Sequence, residues 1–298
     1  MTLEPPIIDE SSAIAYFLAG RCQAMRFLLH DGGAMLGAFG IGVFHGLQSE
    51  YGIDYRYFDV QVGTSCGAWN AAYITADQVC EGINMYVRLA EGFFCGRLIP
   101  FNDMAFLEDI ARRSVDALCV KTLKGRQQKV YMPLSDVSTL QPKFICLTEE
   151  EDPISTLLTG SFIPGLSRPK MDGSCCDGAF TCHPPIALAK TLSRGKDDEW
   201  WFISSHPLDY RVRFMDHIIA SWIFGFGSKA NRRLFANAAS LENAARKEIE
   251  QKVRSGSLHF ICPAEQLPIH WRSKNKEAVE ATVELGRAAA RRFMRTYR

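Results

Sequence analysis

The sequence predicts an α/β protein, a three-layer α/β/α arrangement with a mostly parallel central sheet covered on both faces. Three observations lead there. Strand-like apolar runs alternate with helix-like stretches along most of the 298 residues, which is the pattern of βα units. The hydrophobic content of 47% is enough for a sizeable core at this length. Two of the strand-to-helix junctions carry glycines, as tight βα turns do.

Taken in order, "MRFLLHDGG" (25–33) reads as a buried strand running into a glycine turn. "GAFGIGVFHGLQSEYG" (37–52) reads as a helix packed closely through small residues and stopped by Gly52. "YFDVQVG" is the second strand and "CGAWNAAYITADQ" the second helix. Over 102–123, apolar residues at 107, 110, 111, 115 and 118 predict one helix, capped by Asn102 or Asp103. "QKVYMPLSDV" and "PKFICLT" read as strands joined by a turn. After "MDGSCCDGAF" follow a helix through "PPIALAKTL", a strand "EWWFISS", two helices within 212–255, a last strand "SLHFICPA" and a closing helix "NKEAVEATVELGRAAARRFM".

No repeat or linker-like tract interrupts this order, so residues 25–298 are expected to form one domain, with 1–24 as an N-terminal extension. A net charge of +1 gives no field to draw nucleic acid, and none is expected as a partner. The first residues are acidic before a short apolar run, the reverse of a secretory signal. No run of 18 apolar residues exists. The ten cysteines show neither CxxC nor zinc-site spacing, which points to reduced thiols. A cytoplasmic protein without metal or organic cofactor is expected; oligomeric state is left open.

The stretch "VGTSCGAWNAAY" (62–73) sets Ser65 between Gly63 and Gly67, after a strand and before a helix. G-x-S-x-G alone is a weak signal, but a nucleophile elbow needs that order of strand, sharp turn and helix. The glycines leave room for a strained serine backbone, and the helix N-terminus favours negative charge nearby. An ordinary serine N-cap fits the same residues. A serine hydroxyl also needs a base. Of the seven histidines, His259 falls inside an apparent strand and His270 follows "LPI". Neither has the loop setting of a triad histidine, so a triad fits poorly.

Two further stretches bear on the question. "HDGGAMLGAFGIGVFHGL" (30–47) is a glycine turn whose N–H groups suit an anion or oxyanion, but it lacks a full nucleotide-loop pattern. "MDGSCCDGAFTCHPPIAL" (171–188) holds two Asp-Gly pairs and a Pro184-Pro185 step that suits a helix start. Together these residues resemble the patatin-like phospholipase family. Its D-G-G-G-x-[KR]-G motif is similar to Asp31-Gly32-Gly33-Ala34-Met35-Leu36-Gly37, its G-x-S-x-G to Gly63-Thr64-Ser65-Cys66-Gly67, and its D-G-[GA] to Asp177-Gly178-Ala179. "SFIPGL", "DGAFTCHPPI" and "ICPAEQLP" extend the resemblance over residues 25–296.

The resemblance implies a patatin-like fold and a lipid acyl hydrolase of phospholipase A or lysophospholipase type, acting through an acyl-enzyme. It implies Ser65 as nucleophile, Asp177 as base without histidine, and the N–H groups of Gly32, Gly33 and Ala34 as oxyanion hole. Gly37, Gly63, Gly67 and Gly178 complete the motifs. Lipid or other acyl esters would be the substrates. An acyltransferase using the same acyl-enzyme and a catalytically silent lipid-binding protein are the alternatives. The chain departs from the family at Ala34, where a methyl limits positive φ, at Leu36, which removes a cation, and at His183, which stands where the family has Asn. Residues 209–235 place aromatics between Arg211, Arg213, Lys229, Arg232 and Arg233. They read either as a core helix with solvated basic ends or as a peripheral membrane contact.

Overall fold

The computed structural model describes residues 24–96, 101–169, 174–195, 197–213 and 228–297. In chain order these form β1 (Arg26–His30), α1 (Gly37–Tyr51), β2 (Val60–Gly63), α2 (Cys66–Thr75), α3 (Val79–Gly92), β3 (Phe94–Cys95), β4 (Phe101–Asp103), α4 (Met104–Arg113), α5 (Val120–Lys124) and β5 (Lys129–Asp136). There follow β6 (Pro142–Cys146), α6 (Pro153–Thr159), β7 (Ser167–Arg168), β8 (Cys175–Asp177), α7 (Ile186–Leu192), β9 (Glu199–Ile203), α8 (Lys229–Arg254), β10 (His259–Ile261) and α9 (Lys276–Tyr297).

The main sheet runs β10-β9-β1-β2-β5-β6, parallel from β10 through β5 and antiparallel at β6. Side chains alternate across it, as the period of a strand requires. Phe27, Leu29, Val60, Val62, Trp200 and Phe202 enter one core, and Leu28, Val130, Met132, Trp201 and Ile203 enter the other. Both faces are therefore buried, and the fold is a three-layer α/β/α sandwich. One face is covered chiefly by α1, α2 and α9, the other by α7 and the C-terminal half of α8. Helices α1 and α9 meet almost backbone to backbone: a Cβ on Gly42 would lie 2.3 Å from Val283 O, and one on Gly286 2.4 Å from Phe39 O.

An edge exchange on β5 positions the site. Tyr131 pairs with Val62 of β2 and with Cys146 of β6, so β2 and β6 lie on opposite edges. Leu134 pairs with Lys143 of β6 and with Asp177 of β8, so β8 takes up the edge that β2 leaves. The C-terminal ends of β2 and β8 thus approach one another, one leading to Ser65 and the other ending on Asp177.

The helix predicted over 102–123 is two helices. Ser114 ends α4 with ψ 169°, and its hydroxyl donates to Ile110 O at 2.8 Å while accepting Asp116 N–H at 3.1 Å. That local bonding replaces the next helical turn. Val115, counted on the apolar face, is 86% exposed. Asp103 is the cap, accepting from the N–H groups of Ala105 and Phe106, whereas Asn102 lies in β4. Helix α3 and the small sheet β3-β4-β7 had no counterpart in the sequence reading. Within 212–255 the described residues form the single helix α8; the aromatic cluster of 209–235 falls in 214–227, outside the described residues. Among those described, no helix is long and apolar enough to cross a membrane.

Candidate active site

Ser65 joins β2 to α2 with φ 55° and ψ −124°. A non-glycine residue in that region costs on the order of 1–3 kcal/mol and persists only where its surroundings impose it. Here they do. A Cβ on Gly63 would sit 2.2 Å from the Gly67 backbone, and one on Gly67 would sit 2.6 Å from the carbonyl oxygens of His30 and Asp31. A side chain at Gly63 would force the serine turn itself open, and one at Gly67 would part it from the glycine turn. The Ser65 hydroxyl caps nothing, which disposes of the N-cap reading. It donates instead to Asp177 Oδ2 at 2.7 Å.

Asp177 is 3% exposed. Its N–H donates to Phe162 O at 2.9 Å and its Oδ1 accepts from Ala179 N–H at 2.8 Å, so both its backbone and carboxylate are fixed. Gly178 holds the strand end against β5, since a Cβ there would lie 2.1 Å from Pro133 O. Burial raises the Asp177 carboxyl from 3.8 to about 6, against the opposing pull of the Ser65 and Ala179 hydrogen bonds. Among the described residues no histidine bonds to either side chain.

The glycine turn lies beside the serine. Asp31 N–H donates to Ile203 O, Met35 N–H to Trp271 O and Leu36 N–H to Gly33 O. Between them, the N–H groups of Gly32, Gly33 and Ala34 have no acceptor among the described residues. A Cβ on Gly32 would stand 3.2 Å from Thr64 O, which sets this turn against the residue preceding Ser65. Gly33 has φ 121° and Ala34 φ 51°. The Ala34 methyl therefore does not prevent the left-handed conformation, at a strain of roughly 1 kcal/mol.

Asp31 anchors this turn. Its Oδ2 accepts from Ser204 Oγ at 2.8 Å and lies 3.5 Å from Arg246 Nη2 and from His206 Nδ1, while His183 Nε2 is 3.3 Å from Oδ1. Burial alone would raise this carboxyl, but the Arg246 guanidinium and the two imidazoles hold it well below its ordinary value. Arg246, 4% exposed, also bonds Glu242 at 2.8 Å and lies 4.9 Å over the Tyr210 ring. One guanidinium from α8 thus serves two carboxylates, Asp31 and Glu242, beside the glycine turn. Neither Arg246, Glu242 nor His206 was singled out from the sequence, and no motif marks them. His183 packs on Gly32, whose Cβ would meet its Cε1 at 3.0 Å, and its Nδ1 is buried without a partner among the described residues.

A narrow cleft opens at Ser65 and is lined largely by apolar side chains, among them Met35, Trp69, Leu89, Phe94 and Ile163. Among the described residues no group of His, Cys, Asp and Glu is arranged to hold a metal ion.

No protein-family model and no curated protein matches the chain. Among solved structures, VipD from Legionella pneumophila is similar with a TM-score of 0.48 and 10% identity, over 92% of this chain and 67% of VipD. A likeness at that level says nothing of the chemistry.

Proposed function

We propose that the chain is a lipid acyl hydrolase of the patatin-like phospholipase type, cleaving carboxylic esters through a Ser65–Asp177 dyad. The observation that carries this reading is the 2.7 Å bond from Ser65 Oγ to Asp177 Oδ2, made at a strained turn that opens on an apolar cleft. A carboxyl near 6 is ionised at neutral pH yet basic enough to take a proton from an attacking hydroxyl. Ser65 Oγ attacks the ester carbonyl while its proton passes to Asp177 Oδ2. The N–H groups of Gly32, Gly33 and Ala34 receive the oxyanion, each worth roughly 3–4 kcal/mol. Asp177 then protonates the leaving alcohol, which departs and leaves Ser65 acylated. Water gives a proton to Asp177 and attacks the acyl-enzyme; that proton returns to Ser65 as the carboxylic acid leaves.

Contact with a lipid surface through 209–235 belongs to the same proposal. The test is hydrolysis of a short-chain nitrophenyl ester by wild type, Ser65→Ala and Asp177→Asn, each checked for folding. Activity falling at least about 10³-fold in both variants supports the dyad. A folded wild type with neither ester hydrolysis nor fluorophosphonate labelling contradicts it.

A further inference from the structure

One residue of the cleft lining carries a buried polar atom that is left over. Asn102 of β4 is 2% exposed and lines the cleft near Phe94 and Leu107, and its Oδ1 is buried with no hydrogen-bond partner among the described residues. The backbone around it is fixed. Its N–H donates to Leu166 O at 2.9 Å, and β4 is paired to β3 at Phe94 and to β7 at Ser167. The other polar side chains of the lining have partners. Ser65 donates to Asp177, Ser161 accepts from Trp69 Nε1 and donates to Leu157 O, and Tyr86 donates to Asn70 Oδ1.

A plain alkyl chain filling this cleft leaves the buried Asn102 oxygen without a donor. A chain with a hydroxyl at that depth supplies one, and the difference corresponds to about tenfold in affinity or more. In a wholly apolar cleft the sign is opposite, because the hydroxyl loses its water for nothing. We propose that Asn102 selects acyl chains bearing a hydroxyl group, which donates to Asn102 Oδ1. Esters of hydroxylated fatty acids are then the preferred substrates. This rests on the hydrolase reading of Ser65, and Asn102 takes no part in the chemistry.

The test uses the full chain carrying Ser65→Ala, which keeps the cleft and cannot turn over. A cleft-bound fluorescent fatty acid is displaced by dodecanoate and by dodecanoates hydroxylated at successive positions from C3 to C12. One isomer is expected to bind about tenfold more tightly than dodecanoate, and adding Asn102→Leu should reverse that order. Asn102→Asp, which keeps the acceptor, should retain the preference if the leucine variant does not fold. The same acids as nitrophenyl esters should rank alike in kcat/KM with the wild type. If no isomer outdoes the plain chain, the proposal is overturned. If the hydroxyl preference appears in binding but no ester is hydrolysed, the hydrolase reading falls and the Asn102 site stands.

Discussion

Asp31 and Asp177 are both buried, at 6% and 3% exposure, and each touches one of the two turns that meet at Ser65. Their carboxyls are nevertheless displaced in opposite directions, Asp31 well below its ordinary value and Asp177 up to about 6. Burial pushes both upward, so the difference lies in the partners. Asp31 faces a guanidinium, two imidazoles and a serine hydroxyl; Asp177 has one hydroxyl and one backbone N–H. A carboxylate compensated by a fixed cation serves as an anchor and is a poor proton acceptor. One left with neutral donors keeps the basicity that proton transfer needs.

Breaking the Asp177 side should give the largest effect. Asp177→Asn is expected to lower ester hydrolysis by about 10⁴-fold while the fold is kept, measured as kcat/KM. Breaking the Asp31 side should instead cost stability. Arg246→Met removes the fixed cation that buried Asp31 shares with Glu242 and should lower unfolding free energy by about 3–5 kcal/mol in urea titration. Asp31 contributes stability above pH 3.8, and that contribution is lost only as pH falls through its depressed value.

Asp177 has the opposite linkage. Its folded value lies above the ordinary one, so its contribution is full below pH 3.8 and is lost as pH rises through about 6. A displacement of about two units corresponds to at most about 3 kcal/mol. The Asp177→Asn protein should therefore be more stable than wild type at pH 8, up to that limit, and the gap should close below pH 4. Equal stabilities at pH 8 would mean that Asp177 carries no such strain. Ala34→Gly, in the turn that follows Asp31, should give the smallest effect. Relief of roughly 1 kcal/mol of left-handed strain is offset by the greater chain entropy of glycine, leaving stability within about 1 kcal/mol.

What could be read from the sequence follows the same division. The serine turn was legible because its requirements are local: a strand, two glycines and a helix within 57–75. Asp177 is 112 residues from Ser65, and only a family motif linked the two before the edge exchange on β5 explained their meeting. Arg246 lies 215 residues beyond Asp31, and nothing in its own helix distinguishes it from the solvated arginines around it. Asn102 was read, with Asp103, as one of two candidate caps because both stand at the head of a periodic stretch. Pairing of β4 with β3 and β7, each two residues long, leaves no periodic signal and turns that side chain into the cleft lining. The break at Ser114 was hidden for a related reason, since Val115 and Leu118 kept the helical period across it.

The central claim is that Asp177, and no histidine, is the base. Its most direct test is the pH dependence of short-ester kcat/KM, from pH 4 to 9, for wild type and the His183→Ala protein. The account predicts a single rising limb with an apparent pKa near 6 in both, with the variant's plateau within about tenfold of wild type. A folded His183→Ala protein whose limb is abolished, or whose plateau falls by several orders of magnitude, would contradict it and point to a histidine-dependent mechanism.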